Sequence, residues 1–186
     1  MSQVSFENRT VIVTGAGNGL GKAYALDLGS RGAKVVVNDL GGAVDGSGSG
    51  STPAAEVVNE IFANGGEAVA NFDSVASKEG GESIVQTAID NFGTVDAVVN
   101  NAGILRDKSF ANMSEEELSL IIDVHLKGTF FVSQPAFKVM KENAYGRIVN
   151  VASPSGLFGN FGQSNYGAAK MGIVGLTNVL AIEGAK

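Results

Sequence analysis

The segment "ASPSGLFGNFGQSNYGAAK" holds three residues able to move a proton or grip an oxygen: Ser153, Tyr166 and Lys170. Tyr166 and Lys170 stand four apart at the start of a segment of helical character, so their side chains share a face. A free phenol ionises near pH 10 (about 10), which makes it a poor base at neutral pH. A lysine cation beside it favours the phenolate and brings proton exchange with a substrate hydroxyl within reach. Ser153 lies thirteen residues before Tyr166, just past an apolar run, where a strand end would face the same cleft. A Tyr/Lys pair at this spacing recurs by chance in many helices, so its meaning depends on what surrounds it.

Five short apolar runs supply the positioning frame: Thr10–Thr14 ("TVIVT"), 33–38 ("AKVVVN"), 68–72 ("AVANF"), 96–100 ("DAVVN") and 147–152 ("RIVNVA"). Each is rich in valine or isoleucine with little polar alternation, which suits parallel strands buried on both faces. Between them lie segments of helical character at 19–31, 53–64, 79–92, 114–143 and 164–183. Strand then helix, repeated, predicts one α/β domain over residues 1–186, with right-handed crossovers and helices on both faces of a parallel sheet. The low-complexity stretch "GGAVDGSGSGSTP" (41–53) falls between a strand and a helix and reads as a long mobile loop, not a linker.

At the first strand-to-helix junction, "VTGAGNGLGKAY" crowds Gly15, Gly17, Gly19 and Gly21 together. A bare turn needs one or two glycines; four point to a ligand approaching the backbone. The helix that follows offers unpaired N–H groups and a partial positive charge, which makes a pyrophosphate site. The spacing is Thr14-Gly15-x-x-x-Gly19-x-Gly21. About twenty residues on, Asp39 ends the second apolar run, where a carboxylate accepts from both ribose hydroxyls of a dinucleotide and repels a 2′-phosphate. No Arg or Lys stands between Asp39 and Pro53 to receive that phosphate, so the expected cofactor is NAD. The alternative for Asp39 is an acid that caps the following loop. Asp73, ending the third run, reads as an acceptor for the adenine amino group or as an ordinary turn aspartate. Asn100, Asn101, Ala102 and Gly103 follow the fourth run, placed both to brace the sheet and to line the cofactor cleft.

Composition narrows the alternatives. Thirteen basic against nineteen acidic residues give a net charge of −6, which disfavours nucleic acid as a partner. The absence of cysteine excludes disulfides, thiolate catalysis and cysteine-based zinc sites, and no metal site is expected. No apolar run is long enough for a membrane span, and the opening "MSQVSFENRT" lacks the features of a secretory leader.

Taken together, Thr14-Gly15-x-x-x-Gly19-x-Gly21, Asn100-Asn101-Ala102-Gly103, Ser153 and Tyr166-x-x-x-Lys170 resemble the short-chain dehydrogenase/reductase family, with every motif in order along the chain. The resemblance implies a Rossmann-type doubly wound parallel sheet and hydride exchange between a nicotinamide and a carbinol or carbonyl carbon. It implies that Tyr166 exchanges the hydroxyl proton, Ser153 holds the substrate oxygen, and Lys170 binds the nicotinamide ribose. It also implies cofactor contacts at Asn18, Leu20, Ser74, Val75, Asn101 and Ala102, beside Gly15, Gly19, Gly21, Asp39, Asp73 and Gly103.

Longer strings, "VVVNDLGGAVDGSGSGS", "NNAGILRDKSF", "DVHLKGTF" and "GLFGNFGQSNYGAAK", are similar to the (3R)-hydroxyacyl-CoA dehydrogenases of β-oxidation, found as a domain of peroxisomal multifunctional enzymes and as stand-alone bacterial proteins. That implies a 3-hydroxyacyl thioester substrate. A carrier-protein thioester reductase using NADPH and a non-catalytic NAD-binding module are the alternatives. His125 occupies the position where most of the wider family has an asparagine in a proton relay; it is expected to serve that relay or to pack as a satisfied core histidine. Family members continue past this point with two more strands and a lid, so the chain ending at Lys186 reads as incomplete. Association as a homodimer or homotetramer is expected through the helical segments 114–143 and 164–183. The expected location is the cytoplasm, or the peroxisome if the chain belongs to a larger one.

Overall fold

A computed structural model describes residues 4–185. Five parallel strands run β1 (Thr10–Thr14), β2 (Lys34–Asn38), β3 (Glu67–Asn71), β4 (Ala97–Asn100) and β5 (Arg147–Asn150), in the spatial order β3-β2-β1-β4-β5. Between them come α1 (Gly19–Ser30), α2 (Thr52–Ala63), α3 (Lys78–Phe92), α4 (Glu115–Ile121) and α5 (Gly128–Glu142); after β5 follow α6 (Pro154–Phe158) and α7 (Ser164–Glu183). The chain winds outward from β1 to β3, then returns to β1's other side at β4. Its topological switch, where an open α/β sheet forms a crevice, therefore lies at the carboxyl ends of β1 and β4.

Alternation along the central strands divides the core in two. Val11, Val13, Val35 and Val37 pack with Ala25, Val57 and Ile61 of α1 and α2. Ile12, Val36 and Val98 point the other way, onto Ile84, Val85 and Ala88 of α3 and Val132 and Ala136 of α5. Each such fully buried valine or isoleucine contributes about 1.5–3 kcal/mol, and both faces need it, which is why the central strands read as unbroken valine runs.

Three expectations change. The third and fifth runs are not buried on both faces: β3 and β5 are the edge strands among the described residues, and Phe72 and Val149 are exposed. The segment 114–143 is not one regular helix. It begins with a capping box, Ser114 Oγ accepting from Glu117 N and the Glu117 carboxylate from Ser114 N. It then widens into a π-helical stretch, Ile122–Lys127, before α5 resumes. The β2–α2 loop is docked, not free: Leu105 N donates to Val44 O (2.9 Å), Arg106 Nε donates to Asp45 O, and Gly46 packs against Ile104.

Candidate active site

The carboxyl rim of the sheet is a row of asparagines. Asn38, Asn71, Asn100 and Asn150 each end a strand, and adjacent members pair: Asn38 Nδ2 donates to Asn71 Oδ1 and Asn100 Nδ2 to Asn150 Oδ1, both at 2.8 Å. Such pairs satisfy buried amides and fix the height of the loops that leave the strands.

At the centre of the rim, Thr14 and Asn101 hold the glycine-rich turn. Thr14 Oγ1 accepts from Asn101 N and Ala102 N, while Asn101 Nδ2 donates to Thr14 O and Gly15 O, all at 3.1 Å. Gly15 has φ +62° and lies so close to Ala102 Cα that a Cβ would sit 2.7 Å from it. Gly19, at φ +55°, has open space where a Cβ would be. Asn18 starts α1 without a side-chain cap and no acid stands in its first turn, so the first N–H groups of α1, Leu20's included, have no intrahelical acceptor. This turn fits the pyrophosphate of a dinucleotide: open backbone, aligned donors and a favourable helix dipole.

Asp39 does more here than the sequence indicates. Its Oδ2 accepts from Gly17 N and its Oδ1 from Gly41 N, each at 2.7 Å. One carboxylate thus joins the glycine-rich turn to the start of the β2–α2 loop, and each oxygen keeps a lone pair for a ribose hydroxyl. Asp73 is engaged locally, its Oδ2 accepting from Asn71 Nδ2 (2.9 Å) and Ser83 Oγ (2.7 Å). Ser74 Oγ accepts from Ala76 N. Val75 packs in the core with Ile84 and Val132, so a cofactor contact there falls to its backbone.

On the other side of the crevice, Ser153 caps α6, its Oγ accepting from Ser155 N at 3.2 Å. Ser155 Oγ in turn donates to Gln163 Oε1 (2.8 Å), tying α6 to the start of α7. Lys170, one turn after Tyr166, places Nζ 5.5 Å from the phenol ring centroid and donates to Val151 O at 2.6 Å. It is 3% exposed, and burial pulls its ammonium from 10.5 down to about 8. At neutral pH it remains charged, with two N–H groups to spare.

His125 sits in the π-helical stretch, 2% exposed, with its ring edge-on to Tyr166 at a centroid distance of 5.0 Å. Its Nε2 lies 2.8 Å from Ile104 O and 3.1 Å from Ile104 N, while Nδ1 has no partner. Burial first, and the Lys170 charge second, hold the imidazole down at about 4, against the pull of its bond with Ile104. His125 is therefore neutral at physiological pH. Gly103 closes over it: a Cβ there would meet His125 Cε1 at 2.5 Å. Thr14 Oγ1 and Asn165 also belong to this arrangement; the asparagines within or ending four of the apolar runs are the readable signal for the rim, whereas nothing in the sequence marks the bonds of Asn165.

Comparison with known proteins agrees with this geometry. Residues 9–186 match the short chain dehydrogenase family. The chain is 60% identical over 183 residues to the peroxisomal hydratase-dehydrogenase-epimerase of Saccharomyces cerevisiae, covering 98% of this chain and 20% of that protein. It is 58% identical over 180 residues to a short-chain type dehydrogenase/reductase of Mycobacterium tuberculosis, covering 97% of this chain and 63% of the other. A crystal structure of a short chain dehydrogenase from Mycobacterium avium superposes with a TM-score of 0.89 at 48% identity, over 96% of this chain and 64% of that one. The chain therefore spans less than two thirds of the length of each of these relatives. The parallel sheet with its glycine-rich turn, and the family match across residues 9–186, place the chain in the short-chain dehydrogenase family.

Proposed function

We propose that this protein is an NAD-dependent dehydrogenase that interconverts 3-hydroxyacyl-CoA and 3-ketoacyl-CoA thioesters. The observation that carries the reading is the placement of Tyr166 and Lys170 one turn apart on α7, with the ammonium 5.5 Å from the centre of the phenol ring, in a chain 60% identical over 183 residues to a protein named for a dehydrogenase. The nicotinamide, when bound, supplies the two-electron redox chemistry. Tyr166 takes the proton of the C3 hydroxyl on oxidation and returns it on reduction. Ser153 Oγ donates to the same oxygen and fixes the carbon it belongs to. Lys170 reaches the nicotinamide ribose with its spare N–H groups, its ammonium standing 5.5 Å from the centre of the Tyr166 ring. His125, neutral and pinned to Ile104, braces the phenol ring; we assign any further part in proton return to its unpartnered Nδ1. Incubation with NAD and a panel of (R)- and (S)-3-hydroxyacyl-CoA thioesters tests the reading, with cofactor reduction expected for the (R) series. Reduction confined to simple secondary alcohols would overturn the thioester assignment.

The cofactor choice rests on Asp39. A 2′-phosphate would face its carboxylate with no Arg or Lys between residues 40 and 52 to offset the charge. NAD is expected to bind far more tightly than NADP in calorimetric titration, and equal affinities would refute the assignment. Asp39→Ala is expected to narrow the gap while weakening both, because Gly17 N and Gly41 N lose their acceptor together.

Association is proposed through the two long helical segments. On α7, Ile173 and Leu176 are buried, while Met171, Val179 and Ile182 stay exposed; Leu118 of α4 and Phe130 of α5 are exposed as well. Covering this apolar surface with a second copy gives a homodimer or homotetramer. Light scattering of the full-length protein at micromolar concentration is expected to show an oligomer; monomer alone would count against it. No helix among the described residues is long and apolar enough to cross a membrane. We propose the cytoplasm as its location, or the peroxisome that the yeast relative's name carries if the chain belongs to a larger one.

A further inference from the structure

The residue before Tyr166 is a buried asparagine whose two amide N–H groups and carbonyl oxygen all bond to backbone. Asn165 is 1% exposed. Its Oδ1 accepts from Tyr166 N at 2.7 Å, and its Nδ2 donates to Arg106 O at 3.0 Å and Glu117 O at 3.1 Å. The amide orientation is dictated by its partners: two carbonyls require the NH2 group and the amide N–H requires the oxygen. Tyr166 N is one of the donors that the first turn of α7 cannot satisfy internally, and Gln163, the N-cap, makes no side-chain cap bond. Asn165 therefore caps its own helix while clamping it to the segment after β4 and to α4.

That clamp closes a ring of contacts around the phenol. Arg106 lies two residues from Ile104, whose N–H and carbonyl both meet His125 Nε2. The His125 ring in turn packs edge-on against Tyr166 at 5.0 Å. Tyr166 is thus held at its backbone by Asn165 and at its ring by His125, and both supports rest on the same strip of chain, Ile104 to Arg106. We propose that Asn165 is a positioning residue for proton exchange, setting through Arg106 and His125 where the Tyr166 hydroxyl stands in the crevice. The word "exchange" rests on the dehydrogenase reading; the positioning does not.

The chain has a single histidine, so His125 ring protons give one resolved set of NMR signals that sense the Tyr166 ring current. In Asn165→Ala these signals are expected to shift toward their positions in Tyr166→Ala, where the ring is gone. Signals unmoved in a folded Asn165→Ala protein would overturn the proposal. In turnover, kcat is expected to drop by up to about 10²-fold, the scale set by an ångström of misplacement. NAD affinity and the thioester KM should stay within about twofold of the unaltered protein, a split that general destabilisation does not give. Should Asn165→Ala fail to fold, hydrogen exchange on the unaltered protein decides: the Asn165 side-chain amide and Tyr166 N–H must both be protected, and rapid exchange of either refutes the clamp. Failure of the unaltered protein to oxidise any hydroxyacyl thioester would sink the proposed function and leave the histidine and exchange readings standing.

Discussion

Tyr166→Phe is expected to cut turnover by about 10²-fold or more, the usual scale for losing a general acid/base, while leaving fold and NAD affinity near those of the unaltered protein. Only one oxygen is removed. Phenylalanine keeps the edge-on contact with His125 and the backbone bond from Tyr166 N to Asn165. The dinucleotide turn, built from Thr14, Gly15 and Asn101, lies across the crevice and loses nothing. Initial rates with saturating NAD, set beside calorimetric NAD binding, separate the two effects. Near-normal turnover in the variant would remove Tyr166 from the chemistry and favour a binding module over an enzyme.

Lys170→Met should have two large effects of opposite sign. Turnover is expected to fall by about 10²-fold or more, with weaker NAD binding, because the ammonium beside the Tyr166 ring, proposed to reach the ribose, is gone. Stability of the cofactor-free protein should rise. Lys170 is buried and its folded value of about 8 lies below the ordinary 10.5. The folded state therefore binds fewer protons than the unfolded state between those two values. Stability of the unaltered protein increases as pH rises from about 8 to 10.5 and carries the full penalty below that window. The penalty amounts to roughly 3 kcal/mol, and loss of the bond to Val151 O offsets part of it on substitution. A net gain of roughly 1–3 kcal/mol at neutral pH is expected for the apolar replacement, shrinking as pH approaches 10.5. Denaturant melts of both proteins at neutral pH and at pH 10 measure the gap; a variant less stable than its parent, or a gap that widens with pH, would contradict this account of the buried ammonium.

Much of the frame was legible because burial on two faces leaves an unmistakable record. "TVIVT" coincides with β1, α7 occupies the predicted 164–183, and the remaining strands differ by one or two residues at their ends. The departures have local causes. β5 carries the same valine and isoleucine as its neighbours, yet among the described residues no strand lies along its outer edge, and pairing is not encoded in composition. α6 was missed because Gly156 and Gly159 argue against a helix, although Ser153 followed by Pro154 is the ordinary signature of a helix start. The π-helical stretch around His125 hides inside a continuous apolar periodicity, since one widened turn shifts side chains without changing their types.

The site divides in the same way. Ser153, Tyr166, Lys170, Asp39 and the glycines stand at fixed spacings on adjoining elements, so a linear reading reaches them. The partners of Asn165, by contrast, are backbone carbonyls 59 and 48 residues away, and any residue type could provide them. Backbone groups leave no trace in side-chain chemistry. For the same reason the two backbone bonds to Asp39 were out of reach, although the carboxylate itself was singled out.

Under the proposed function, hydrogen passes between C3 of a 3-hydroxyacyl thioester and the nicotinamide while Tyr166 handles the proton. A (3R)-hydroxyacyl-CoA carrying deuterium at C3, incubated with this protein and NAD, tests it most directly by mass spectrometry of the dinucleotide. Reduced cofactor carrying the deuterium is expected, formed by the unaltered protein and lost in Tyr166→Phe. Unlabelled reduced cofactor, or no reduction with any (3R)-hydroxyacyl thioester, would contradict it.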